Sequence, residues 1–152
     1  LSLDGLDGLQ CESAAAGIFV FAPFLSHLDI AGVVRQAGLP GTKMIPAINY
    51  LLSFLALKLL GNERYAHVGD HAFDPGVGVF TGLNVIPKCT AMSTYSYGLD
   101  TVHIQRLQTA FVKRVSMAAR IRGIPAVSAG DSQTHLLREV EPTVFTLLRN
   151  HL

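Results

Sequence analysis

Charge is scarce in this chain: Asp, Glu, Lys and Arg make up 15% of its 152 residues, against about 25% in an ordinary globular protein. Its 49% hydrophobic share is ordinary, so the chain either buries most of its surface or leans on something else. Cysteine is nearly absent too. Cys11 and Cys89 form no C-x-x-C pair, and a chain of this size folds without a bridge, so both read as reduced thiols of an intracellular protein. There is no phosphate-binding loop, no G-x-G-x-x-G behind a strand, no zinc-finger spacing and no G-x-S-x-G elbow, which argues against the common nucleotide, dinucleotide, zinc-finger and α/β-hydrolase classes. Ser26-His27, and Gly130-Asp131-Ser132 with His135, hold hydrolase residue types without that elbow. Strand and helix patterns do not alternate, and no repeat exceeds the D-G-L pair at Asp4–Leu6 and Asp7–Leu9.

What is present centres on Met44 to Leu60, MIPAINYLLSFLALKLL, interrupted only by Asn49, Ser53 and Lys58. As a helix it would be about 25 Å long, too long for one core strand and barely enough to cross a bilayer. Pro46 fits a first turn, Gly61 a left-handed C-terminal position, and Lys58 the negative end of the helix dipole. The spacing predicts a buried helix, with Leu55 as deeply placed as its neighbours. A membrane span over 44–60 is the alternative, and Pro46, Asn49 and Lys58 argue against it.

Around it, a first helix is predicted over Gly17 to Leu25, kinked or ended by Pro23, and a second to Ala37 with Ser26 as N-cap. In that second helix Leu28, Ala31, Val34 and Ala37 share a face, and Asp29, Arg35 and Gln36 point away. The glycine-rich stretch after Gly61 predicts short helical pieces, one opened by Asp74-Pro75 and ended near Gly82, another within Pro87 to Gly98. Asp100 or Thr101 then caps the longest amphipathic segment, His103 to Arg122. The fold class is all-α: a flexible lead-in over 1–13, a helical domain over 14–122 around the buried hydrophobic helix, and a loop plus helical tail over 123–152 broken at Pro142. Acidic Asp4, Asp7 and Glu12 precede the apolar stretch Ala14 to Leu25 where an export signal needs positive charge, so a cytoplasmic location is expected. The start at Leu1 rather than Met is expected of a fragment or an unusual start.

Of 12 Lys and Arg, seven lie beyond residue 98, and no acid occurs between Val102 and Gly123. In the amphipathic segment Ile104, Leu107, Phe111, Val115 and Ala118 form an apolar face. Opposite them Arg106, Lys113 and Arg120 recur every seven residues, within roughly 40° at about 100° per residue. A basic stripe without acids suits DNA phosphates, so Arg106, Lys113, Arg114, Arg120 and Arg122 are the candidate contacts. Lys88, Ser93 and Tyr97 are secondary ones, and Tyr95 to Tyr97 could stack on or touch nucleic acid. A metal-dependent hydrolase reading rests on His67, His71, Asp70 and Asp74. His67 and His71 stand four apart, yet Gly69 lies between them and no H-E-x-x-H is present.

Three long segments, GIFVFAPFL, GLPGTKMIPAINYLLSFLALKLLGNERYAHV and FDPGVGVFTGLNVIPKCTAMSTYSYGLD, follow in order between Gly17 and Asp100, with the basic helix after them. Together they resemble the N-terminal region of bacterial insertion-sequence transposases of the DDE class. In such proteins this helical region precedes a ribonuclease-H-like catalytic core whose acidic triad binds divalent metal. Family members continue after the basic helix into a strand of the form N-L-D-F-H. This chain instead reads MAARIRGIPAVSAGDSQTHLLREVEPTVFTLLRNHL, and Asp131 lies in a loop-like context. The resemblance therefore implies a truncated transposase without the catalytic triad, with DNA as partner. It implies no cofactor in this fragment, divalent metal only in the full-length family, and no membrane; a homo-oligomer is compatible with it.

Overall fold

The computed structural model describes residues 12–62 and 65–121, with the backbone alone for 65 and 118–121. The expectations for Cys11, for most of the lead-in and for the C-terminal tail, including Asp131 and Pro142, lie outside these residues. The chain is all-α: α1 (Ala22–His27), α2 (Ile30–Ala37), α3 (Ala47–Leu59), α4 (Pro75–Thr81), α5 (Cys89–Tyr97) and α6 (Thr101–Ile121), with 3-10 stretches over Ala16–Phe21 and Tyr65–His71. Among the described residues there is no strand. Two compact units divide them, one of the residues up to 26 and from 40 to 95, the other of residues 27 to 39 and from 96 onward.

In the first unit α3 is the core helix, with Tyr50, Leu52, Phe54, Ala56 and Leu57 buried, and it packs against α4 and the second 3-10 stretch. Asn49 and Ser53 have structural work. Asn49 Nδ2 donates to the carbonyls of Thr81 (2.8 Å) and Gly82 (3.2 Å), satisfying the C-terminal end of α4, where carbonyls have no helical partner. Ser53, fully buried, donates to the Asn49 carbonyl at 2.7 Å. Tyr50 stacks on Tyr95 with centroids 4.0 Å apart and planes 7° from parallel. Burial, and then the neighbouring Tyr50, push the Tyr95 phenol up to about 12. Tyr95 is thus a packing residue of this unit, with one ring face taken by Tyr50. Phe19 meets Phe80 edge-on at 6.0 Å, where the first 3-10 stretch packs on α4.

Asp74 and Pro75 open α4 as expected, with Asp74 Oδ1 accepting from the Val77 N–H at 3.1 Å. The same carboxylate accepts from Ser13 Oγ at 2.6 Å and from the Ala14 N–H at 3.1 Å, so the end of the expected lead-in is tied down. Burial raises the carboxyl's pKa, but the bonds from Ser13, Val77, Gly76 and Ala14 outweigh it and leave the group below its ordinary range. Helices α2, α3 and α4 end alike. Gly38, Gly61 and Gly82 all have φ near +70°, and the N–H groups of the glycine and of the residue after it reach back: Gly61 to the Lys58 carbonyl at 3.0 Å and Asn62 to the Leu57 carbonyl at 2.9 Å, for example. That double bond pattern closes a helix with a left-handed residue.

Several boundaries differ from expectation. Pro23 does not end a helix; it lies in the first turn of α1, where a missing N–H costs nothing. Ser26 lies inside α1, and the cap of α2 is Asp29. Pro46, with ψ at 152°, is the extended N-cap of α3 rather than a first-turn residue, because Thr42 to Ile45 form a turn closed by the Thr42 N–H on the Ile45 carbonyl at 2.8 Å. At 13 residues α3 is short of a bilayer, and no single described helix is long and apolar enough to cross one; only the separate segments 16–27 and 30–37 taken together reach that length and composition.

Leu55 is only half-buried, whereas Leu57 on the same helix is 2% exposed. Leu57→Ala is therefore expected to destabilise the protein by about 2 to 5 kcal/mol through reduced burial and a cavity, and Leu55→Ala by clearly less. Urea unfolding of the two variants in detergent-free buffer checks the order.

Candidate nucleic-acid interface

The second unit is built on α6, which opens as the sequence predicts. Asp100 Oδ1 accepts from the His103 N–H at 2.8 Å, three residues into the helix, and the His103 ring approaches the same oxygen at 2.6 Å. The His103 backbone bond holds the Asp100 carboxyl below its usual range against the opposing effect of desolvation, with the imidazole adding to the lowering.

On α6 the buried side chains are Leu107 and Ala110, while Ile104, Phe111 and Val115 are half-buried. Ala110 was not on the expected apolar face; it falls there because it follows Leu107 by three residues. Helix α2 packs against α6, offering Ile30, Gly32, Val33, Val34 and Ala37 as its buried residues. The two run antiparallel. Asp29 at the start of α2 meets Arg114 far along α6, with Arg114 Nη2 donating to Asp29 Oδ2 at 2.9 Å. Gly38, just past the end of α2, faces Arg106 near the start of α6: a Cβ at Gly38 would lie 3.8 Å from Arg106 Nη1. Arg106 thereby sits by the negative end of the α2 dipole.

Asp29, expected to point away from the core, has a second bond: its Oδ1 accepts from the Gly32 N–H at 3.0 Å. Its φ of 49° makes it the one described non-glycine residue in the left-handed region. Asp and Asn tolerate that region better than other residues. Gly32 makes the arrangement possible, because a Cβ there would overlap Asp29 Oδ2 and lie 2.9 Å from Arg114 Nη2.

The residues of α6 turned outward are Thr101, Val102, Gln105, Arg106, Thr109, Lys113 and Met117, a face with two cations and no acid. Arg106 and Lys113 thus share one exposed surface, as their seven-residue spacing predicts. Arg114 is half-buried in its pair with Asp29. Arg120 is on α6 with its backbone alone described, and Arg122 lies outside the described residues. Lys88 is exposed just before α5, Ser93 within it is half-buried with polar partners of its own, and Tyr97 at its end is 60% exposed. Asp29 and Gly32 were missed by sequence reasoning. The one available signal was a glycine inside a helical pattern, which often marks a close approach.

Of the four residues of the metal reading, His67 and Asp70 face each other while His71 and Asp74 have other partners. His67 Nδ1 lies 3.5 Å from Asp70 Oδ2, His71 Nε2 lies 2.8 Å from Asn62 Nδ2, and Asp74 caps α4. Among the described residues no group of three or more His, Cys, Asp or Glu is placed to hold a metal ion. No protein-family profile, curated protein or solved structure matches the chain.

Helix propensity alone says that Gly32→Ala stabilises α2 by about 1 kcal/mol. The crowding at Asp29 reverses the sign: the substitution is expected to cost about 1 to 3 kcal/mol, read as a lower urea midpoint.

Proposed function

We propose that this chain is a DNA-engaging helical region of a transposase, serving DNA transposition as part of a longer cytoplasmic protein and having no catalytic centre of its own. What supports the reading is the outer face of α6, where Arg106 and Lys113 stand exposed one above the other with no carboxylate on that face. The order of the segments between Gly17 and Asp100, which resembles the region preceding the transposase core, gives the reading its biological setting. Arg106 and Lys113 are the principal phosphate ligands, and Arg120 continues their spacing. Lys88, Ser93 and Tyr97 also touch the nucleic-acid backbone, and Arg122 belongs to the same basic segment. Phosphate binding of this kind positions a protein on duplex DNA without reading its sequence.

Neutralising Arg106, Lys113 and Arg120 together with Gln is expected to weaken binding to all duplex sequences alike. The plot of log affinity against log salt should flatten by roughly 0.9 for each phosphate that is no longer neutralised. A salt titration of wild type and the triple variant, with helicity measured in both, decides the matter: equal slopes at equal helicity make the stripe an ordinary solvated helix face.

A further inference from the structure

We infer that Asp29 is an internal competitor for DNA: its carboxylate occupies Arg114, a third cation of α6 that would otherwise engage a phosphate. The inference rests on the DNA-binding reading of α6 and adds how that surface is restrained.

Three observations point to it. The pair is made by a single hydrogen bond, Arg114 Nη2 to Asp29 Oδ2 at 2.9 Å, whereas a guanidinium has five N–H donors and suits the paired oxygens of a phosphate. Both side chains are open to solvent, Arg114 at 36% and Asp29 at 43%, so a phosphate can approach the arginine from outside. An ion pair that exposed contributes little to stability and is easily exchanged. Finally, Asp29 is the one carboxylate that the described structure pairs with the Lys and Arg side chains of α6, which has no acid of its own between Thr101 and Ile121.

The geometry also keeps the exchange local. Asp29 Oδ1, not Oδ2, caps α2 through the Gly32 N–H, so releasing Arg114 leaves the cap intact. Gly32, without a Cβ, leaves the space through which the guanidinium reaches over the first turn of α2. Arg106 and Arg114 are eight residues apart, about 12 Å along α6. Arg114 follows Lys113 directly, about 100° around the helix, so freeing it would widen the cationic surface from Lys113 toward α2.

Asp29→Asn separates the charge of Asp29 from its structural work, since Asn caps helices as well as Asp and tolerates the left-handed region. The variant is expected to bind duplex DNA several-fold more tightly at low salt. Its salt slope should steepen by up to roughly 0.9, the mark of one more neutralised phosphate. Adding Arg114→Gln to it should abolish both effects. If wild type and the Arg106→Gln, Lys113→Gln variant show a salt-dependent difference in DNA affinity but Asp29→Asn binds as wild type does, the competitor role is overturned and the DNA-binding reading stands. If wild type has no salt-dependent affinity for duplex DNA, both fall. Nitrogen-detected NMR of the Arg114 side chain covers a variant that folds poorly: adding a short duplex to Asp29→Asn or to wild type should shift the guanidinium signals, and unshifted signals at saturation overturn the role.

Discussion

The antiparallel seating of α2 on α6, with Asp29 paired to Arg114 at one end, is the constraint on which the display of the basic surface depends. Eight residues of α2 and the eight-residue step from Arg106 to Arg114 both span about 12 Å. One arginine therefore meets the cap of α2 and the other its tail. Sliding the helices by one turn would break the Asp29 pair at one end and move Arg106 off Gly38 at the other. Between these ends Val33 and Ala37 are fully buried, and burial of such side chains supplies most of the driving force. The ion pair adds register more than stability. Once α2 covers one side of α6, the residues left exposed are Arg106, at the edge by the tail of α2, Lys113, and a set of uncharged ones.

The first unit meets its shortage of charge differently. A helix as apolar as α3 must be surrounded, and the groups that surround it have backbone ends that need partners. Asn49 and Ser53, which look in the sequence like flaws in a hydrophobic run, are the partners. Asn49 closes α4, and Ser53 returns its hydroxyl to the backbone of its own helix. Asp74 does comparable work at the other end of α4, holding Ser13 and Ala14 as well as the helix cap.

Legibility in the sequence followed the range of the interaction. Local signals read well: Asp74-Pro75 opening a helix, Gly82 and Gly61 closing helices, Asp100 capping α6, and the seven-residue spacing that puts Arg106 and Lys113 on one face. Boundaries failed where two local signals competed. Ser26 and Asp29 are both good caps, and nothing nearby showed that α1 would run through Ser26. Pro46 suits an N-cap as well as a first turn, and the Thr42 turn decided between them. Pairings between distant residues were not legible at all. Asp29 and Arg114 are 85 residues apart, so Arg114 read as another free cation. Leu55 read as core because a run apolar on every side carries no periodicity to say which positions face outward.

The central claim is that Asp29 and Arg114 act on each other across the two helices, and a double-mutant cycle tests it most directly. Urea unfolding of wild type, Asp29→Asn, Arg114→Gln and the double variant yields the interaction free of each residue's other partners. A partly exposed, hydrogen-bonded pair predicts a coupling of about 0.5 to 1 kcal/mol. Strict additivity of the two substitutions, at unchanged helicity, would contradict the account.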